Sequence, residues 1–344
     1  MSKRESPISP KAKKAKPKKA SSPKKSVDRF GKIPKIKEND LSRWADYFEL
    51  LCIANVDKCF TKGEVVGMLN PFLKDEIVIG DLFEPDDTST VSKTESTPDK
   101  LRNFSDELFK MLEYRVLVYQ SYYPFKIVEG DTLQLKGSLY IKNKLYLYLL
   151  WCSNLLFFPE KQHKLTTEFE YLSCEFLKRF LSPNAVIHHF GANVTPSKYK
   201  GKLYDKIATL AEDLDCELIA AKEDFDDRDT GDGGIDLVAW YPFTDQKFSR
   251  LIVLAQCKCS ETWIDTRFSS SLEAWMGKIN FRLNPNNLTF IPMCFRKQTG
   301  AWHVGHHVTG TILVDRQRLI EKIGSKLNFF KSYESVKFVN TFLK

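Results

Sequence analysis

From residue 40 onward the apolar positions recur at helical spacing. Leu41, Trp44, Tyr47, Phe48 and Leu51 lie three or four apart, which predicts a helix capped by Asp40 or Ser42. A second helix is expected near Thr61. Residues 84–100 are polar, bounded by proline and without period, and predict a surface loop or a disordered insertion. Helical patterning returns over 101–119 and 144–158. In 166–180, Phe169, Leu172, Phe176, Leu177 and Phe180 line one face of an amphipathic helix. The grammar then changes. A helix over 201–213 is followed by β-type runs at 216–221, 235–243 and 250–259. A helical stretch around 272–282, a strand at 288–295 and a strand-then-helix at 311–323 complete the chain.

Strands separated by helices predict an α/β domain with a mixed central sheet flanked by helices over 161–344. Residues 38–160 predict a mostly α-helical module for substrate or partner recognition, with no cluster in it that suggests chemistry. Residues 145–158, LYLYLLWCSNLLFF, are the most lipid-like stretch. At 14 residues, interrupted by Ser153 and Asn154, they fall short of the roughly 20 that a spanning helix needs, and they predict a buried helix and no membrane partner.

Charge sharpens this division. The 344 residues carry 52 Lys and Arg against 44 Asp and Glu, a net of +8. Fourteen of the basic residues and two of the acidic ones fall in 1–37, so the other 307 residues carry 38 basic and 42 acidic. The basic character belongs to a leading segment rich in Lys, Pro, Ser and Ala, which predicts a disordered polycation able to displace counterions from nucleic acid. Its Ser-Pro-Lys-Lys at 22–25 is similar to the basic repeats of histone tails. A solubilising tail or a localisation signal is the plainer alternative. Eight cysteines are too few for a disulfide scaffold, and no secretory leader opens the chain. Both point to reduced thiols in an intracellular, cytoplasmic setting, with association with the nucleoid also open.

One stretch carries chemistry: Asp232-Gly-Gly-Ile-Asp236 leads into an apolar strand, and Gln256-Cys257-Lys258 ends the next. An aspartate at the start of an apolar strand is unfavourable unless something pairs with it. Gln256 and Lys258 are two apart and so share a strand face. If the two strands form a hairpin, a carboxylate, an amide and an ammonium converge at one edge. Metal-assisted phosphodiester hydrolysis needs such a set: oxygen ligands for a hard divalent cation and a lysine that orients water or stabilises developing charge. One aspartate holds a cation weakly, so a second acid is expected from the 166–180 helix. Glu168, Glu170 and Glu175 are candidates, with Glu170 favoured by its place beside Phe169.

Phe-Glu on a first helix, then Asp-Gly-Gly-Ile-Asp, then Gln-x-Lys resembles the PD-(D/E)XK nuclease superfamily, in its Mrr-like restriction-endonuclease branch with the Gln-x-Lys variant. The likeness covers about 161–325. It implies a restriction-endonuclease-like fold with Asp236 as principal metal ligand and Gln256 where a second acid usually stands. It also implies Lys258 as catalytic lysine, Glu170 as helix acid and the Cys257 backbone carbonyl as a further ligand. The implied cofactor is Mg²⁺, with Mn²⁺ as a substitute. The implied activity is endonucleolytic cleavage of DNA in restriction or phage defence, acting as a homodimer or with a defence-system partner. A catalytically silent, DNA-binding or regulatory subunit of the same fold is the alternative.

Other groups have plainer readings. The acidic run at 223–229 predicts a solvated turn, and counting from Asp227 puts Gly231 and Val238 where an EF-hand needs ligands. Cys257, Cys259, Cys294, His303, His306 and His307 lack zinc spacing and an accompanying oxyanion hole, so the thiols are expected to pack and the three histidines to lie in a loop near the sheet, with one histidine touching phosphate as the alternative. His188 and His189 are expected at a strand end near the surface. Trp263, Trp275 and Trp302 are expected in the core or facing a partner.

Overall fold

The computed structural model describes residues 34, 36, 37, 40–69, 97–191, 197–226, 228–324 and 326–343. Residues 1–33 of the basic leader and 84–96 of the expected loop lie outside the described residues.

Helix α1 (Leu41–Ala54) starts where the polar residue precedes the apolar period: Asp40 caps it by accepting the Arg43 N–H at 3.2 Å. It buries Trp44, Tyr47, Phe48 and Leu50. Strand β1 (Cys59–Thr61) and helix α2 (Lys62–Leu69) follow. Helix α3 (Thr97–Tyr119) begins inside the segment expected to be loop, so residues 97–100 are helical instead. Strands β2 (Phe125–Val128) and β3 (Thr132–Leu135) join β1 in a three-stranded antiparallel sheet, order β1-β3-β2. The expected mostly helical module therefore contains a sheet. Its strands are three or four residues long, too short for a period of two to register.

Helix α4 (Ile141–Cys152) takes the first eight residues of the lipid-like stretch; the expected helix stops at Ser153, and Leu156 beyond it is exposed. Leu145 to Cys152 are all fully buried, so every side of the helix faces protein. No helix among the described residues is long and apolar enough to cross a membrane. Helix α5 (Gln162–Phe180) packs on α4 and buries Phe169, Leu172, Phe176 and Leu177, while Phe180 at its end is 45% exposed.

Strand β4 (Val186–His189), helix α6 (Leu203–Leu214) and the two-residue β5 (Glu217–Leu218) lead to β6 (Leu237–Trp240) and β7 (Ile252–Cys257). The short helices α7 (Trp263–Thr266) and α8 (Leu272–Trp275) follow, then β8 (Ile279–Asn280), β9 (Asn286–Phe290), β10 (Ile312–Val314), α9 (Arg316–Ile323) and α10 (Glu334–Phe342). The helix expected over 272–282 shrinks to four residues because 279–280 pair with β5. The main sheet has order β10-β9-β7-β6-β4. β4, β6 and β7 run antiparallel, whereas β7, β9 and β10 run parallel, so the chain is a mixed α/β fold with β7 at the sheet centre.

Alternation along the strands sorts the two faces. Leu237, Ala239, Val253, Ala255, Leu288 and Phe290 join the large core with α4, α5 and α9. Val238, Trp240, Ile252 and Leu254 pack with Leu203, Ile207, Leu210 and Leu214 of α6.

The large core crosses residue 160 without a break, and joins Trp44 and Phe48 to Val314 and Val339. The division expected at 160/161 is therefore not a gap in the packing. Trp151 of α4 meets Phe338 and Phe342 of α10, with ring centroids 4.9 and 5.5 Å apart. Charge ties the same parts together. Arg316 grips Asp46 with two bonds of 2.9 and 2.7 Å, and Arg115 binds Glu49 at 2.7 Å, all buried. Burial would raise the Asp46 pKa, but the Arg316 and Arg115 guanidiniums outweigh it and hold the carboxyl below its usual range.

Candidate functional site

The Asp232–Asp236 segment is set by its turn. Asp232 Oδ1 accepts the Gly234 N–H at 2.8 Å. Gly234 has φ of +90°, and a Cβ there would fall 2.4 Å from the Ser269 Cβ, so only glycine fits. Buried Lys206 of α6 donates to the Thr230 and Gly231 carbonyls at 2.8 Å each and braces the approach to the turn.

Asp236 then joins the sheet by its backbone. Its N–H donates to the Ala255 carbonyl at 2.9 Å, and its own carbonyl accepts the Phe190 N–H at 2.8 Å. Its side chain is 9% exposed, and Oδ2 accepts the Cys257 N–H at 2.6 Å. Burial pushes its pKa up to about 6; the Cys257 N–H pulls it down, nearby Asp232 adds to the rise, and the Lys258 charge lowers it.

β4 pairs with β6, which delivers Gly191 to the Asp236 carbonyl (N–H donating at 3.3 Å). A Cβ on Gly191 would stand 3.5 Å from Asp236 Oδ1 and 3.5 Å from Glu170 Oε2. The two carboxylate oxygens are thus no more than twice that distance apart, and flank a position that the missing side chain leaves clear.

Of the three acids on α5, Glu170 is the one brought to Asp236. Glu168 accepts the Glu334 and Ser335 N–H groups at 2.8 and 3.2 Å and caps α10. Glu175 pairs with Lys178 and Arg179.

Gln256 is fully buried on β7, with Nε2 donating to Thr289 Oγ1 of β9 at 3.3 Å and Oε1 left without a donor among the described residues. Its amide is engaged by the neighbouring strand instead of the carboxylates. Lys258 is half-buried just past the end of β7, held by its N–H on the Phe290 carbonyl at 2.9 Å. Its charge is felt at Asp236, whose pKa it lowers. The Cys257 thiol lies on the α5 side of the sheet; burial first, then the Asp236 and Glu170 charges, push its pKa well up.

No group of three or more His, Cys, Asp or Glu side chains that could hold a metal converges among the described residues. The pair Asp236 and Glu170 nevertheless offers oxygen ligands of the kind a hard cation with few protein ligands takes: Asp236 Oδ1 and Glu170 Oε2 both lie beside Gly191, within about 7 Å of each other, while the Cys257 backbone contributes an N–H to Asp236 Oδ2 and, among the described residues, no contact that places its carbonyl as a ligand.

The remaining candidates sit elsewhere. His303 and His307 pack around Phe295 at 5.5 and 6.2 Å, and His306 lies against His307 at 4.3 Å. Their surroundings are cationic: burial, then the charges of His306, Arg267, His303 and Lys37, lower the His307 pKa. His189 packs edge-on to Tyr171 at 5.3 Å, and burial lowers its pKa to about 4. Asp226 and Asp229 each accept a local turn amide on Oδ1, from Arg228 and Gly231. Trp263 and Trp275 are core residues, and Trp302 has the Arg296 and Arg318 guanidiniums over its ring at 3.6 and 4.8 Å. Sequence reasoning missed Gly191 and Thr289, whose roles exist only once β4, β6 and β9 are assembled.

Comparison of the chain with protein-family models, with curated proteins and with solved structures found no match in any of the three.

Proposed function

We propose that the chain is a Mg²⁺-dependent nuclease that hydrolyses DNA phosphodiester bonds, on a sheet of restriction-endonuclease type, in restriction or phage defence. The observation that carries the reading is the approach of two carboxylate oxygens, Asp236 Oδ1 and Glu170 Oε2, which lie within about 7 Å of each other on either side of Gly191. Magnesium is commonly held by one or two carboxylates, its remaining positions going to water and substrate phosphate, so a two-acid site suffices. When bound, such a cation polarises the phosphoryl oxygen and acidifies a water.

The chain's own residues do the rest. The Cys257 N–H fixes the Asp236 carboxylate so that Oδ2 is occupied and Oδ1 faces Gly191. Glu170 supplies the second carboxylate from a buried helix face. Lys258 presents an ammonium at the same strand end, for orienting water and for the charge that builds on phosphorus.

A second reading keeps the fold and drops the chemistry: a silent DNA-binding or regulatory subunit. The Gln256 amide favours it, because the position that would carry another acid is neutral and hydrogen-bonded to Thr289. Incubating the protein with supercoiled plasmid and Mg²⁺, Mn²⁺ or EDTA separates the two. The nuclease reading expects nicking or linearisation with metal only, lost in Asp236→Ala and Lys258→Ala. Binding without strand breaks under every metal supports the silent subunit.

A further inference from the structure

Residues 38–344 carry 42 acidic side chains, yet residues 274–314 hold none of them. The same stretch has four Lys and Arg and three His. It supplies β9 and the loop from Phe295 to Gly310, where His303, His306 and His307 sit. In a body with more acidic than basic residues, a run free of carboxylates suits a surface that meets a polyanion.

The fold brings further basic groups to that loop. Buried Asn287 of β9 donates through Nδ2 to the Arg267 and Gly310 carbonyls, at 3.1 Å each, and its Oδ1 accepts the Ser270 hydroxyl at 2.6 Å. One amide thus fastens the 267–270 segment to the end of the histidine loop. Phe268 is exposed beside Gly310, with the Arg267 guanidinium 4.3 Å from its ring centre. After burial, the charges acting most on His307 are those of His306, Arg267, His303 and Lys37, all basic groups. Arg267 gives one N–H to the Ile264 carbonyl and has no acid partner among the described residues; its Nε and His307 Nδ1 are buried without a hydrogen-bond partner there. Of the acids on adjoining segments, Glu261 pairs with Arg43 and Asp315 with Arg296, while Asp265 is exposed two residues before Arg267. Basic groups are in excess.

The same segment touches the candidate site. A Cβ on Gly234 would fall 2.4 Å from the Ser269 Cβ, so residues 267–270 rest on the turn that leads into Asp236. The Asp236 and Arg267 Cα atoms are then at most about 21 Å apart, roughly six base-pair rises of duplex DNA.

We propose that Lys37, Arg267, His303, His306 and His307 form the surface that holds the phosphate backbone of duplex DNA next to the Asp236 turn. Arg267 offers the guanidinium edge not spent on Ile264, Lys37 a point charge, and the imidazoles N–H donors. Contacts of this kind position a duplex without reading its sequence.

This inference rests on the DNA reading above but not on cleavage, so its test is run in EDTA, with affinity for a short duplex read by fluorescence anisotropy as salt is varied. Two variants of the full chain each lose two positive charges. Lys37→Gln with Arg267→Gln strips the surface. Lys126→Gln with Lys247→Gln strips exposed lysines on β2 and on the β6–β7 connection. Both keep the leading basic segment, so its contribution is common to them, and circular dichroism checks that each is folded. The first variant should bind roughly tenfold or more weakly at low salt, with a salt slope shallower by about 2, while the second stays within about twofold of the parent. In the otherwise unaltered chain, a photo-crosslinking side chain at Thr309, exposed beside His307, should capture duplex DNA in preference to one at Phe243, exposed just beyond the opposite end of β6 from Asp236. Equal losses in the two variants, or equal capture at Thr309 and Phe243, would overturn the surface and leave DNA binding standing. A parent chain that binds no duplex at any salt would overturn the surface together with the DNA reading.

Discussion

Asp236 Oδ2 accepts the Cys257 N–H at 2.6 Å, so the carboxylate at the start of β6 is clamped by the backbone at the end of β7. The bond occupies one oxygen and leaves Oδ1 facing Gly191 and Glu170. A carboxylate buried this way weighs on the fold when it is ionised.

That cost is measurable. With its pKa raised from 3.8 to about 6, Asp236 is ionised in the folded state only above that value, where its burial opposes folding. The cost is fully present above pH 6 and fades as pH falls toward 3.8. Asp236→Asn keeps an oxygen for the Cys257 N–H and removes the charge. In metal-free thermal or urea unfolding it should be more stable than the parent at pH 7–8, by up to about 3 kcal/mol, with the difference vanishing near pH 4. A variant less stable than the parent at neutral pH would show that the carboxylate is satisfied without a cation.

Gly191→Ala tests the clear position itself. The added methyl would sit at ordinary van der Waals distance from Asp236 Oδ1 and Glu170 Oε2, so folding should change by less than about 1 kcal/mol. Divalent-metal affinity, followed by calorimetry, should drop at least several-fold. Metal affinity equal to the parent's would mean that no cation is held between these two oxygens beside Gly191.

The buried ion pairs test whether the chain unfolds as one body. Arg316→Met leaves Asp46 buried beside Arg115 alone, and should cost about 3–5 kcal/mol. Because the core runs across residue 160, the loss should shift a single urea transition seen by both near-UV and far-UV circular dichroism. Two separated transitions, only one of them shifted, would restore an independent N-terminal module.

Much of the frame was legible in the order of side chains. Helix α5 announced itself through Phe169, Leu172, Phe176 and Leu177, because a 3.6-residue period survives whatever packs on it. Strands β6 and β7 were visible as apolar runs that are buried on both faces. Strands β1 to β3 were not, since runs of three or four residues are too short to carry a period. The site was legible in part. Asp236 stood out as a carboxylate before an apolar strand, but the α5 acids could be told apart only by where the helix docks, which gives Glu168 to the α10 cap and Glu170 to Asp236. Gln256 was expected to face the carboxylates with Lys258. Its amide binds Thr289, a residue that enters only through the parallel pairing of β7 with β9.

The most direct measurement is Mn²⁺ binding, by calorimetry or by loss of the free-ion paramagnetic signal, to the parent, Glu170→Gln and Asp236→Asn chains from pH 5 to 8. The account predicts one strong site in the parent that weakens as pH falls below about 6, where Asp236 takes up a proton, and that is lost in both variants. Mn²⁺ binding that persists unchanged in Glu170→Gln and Asp236→Asn, or no binding by the parent at pH 8, would contradict it.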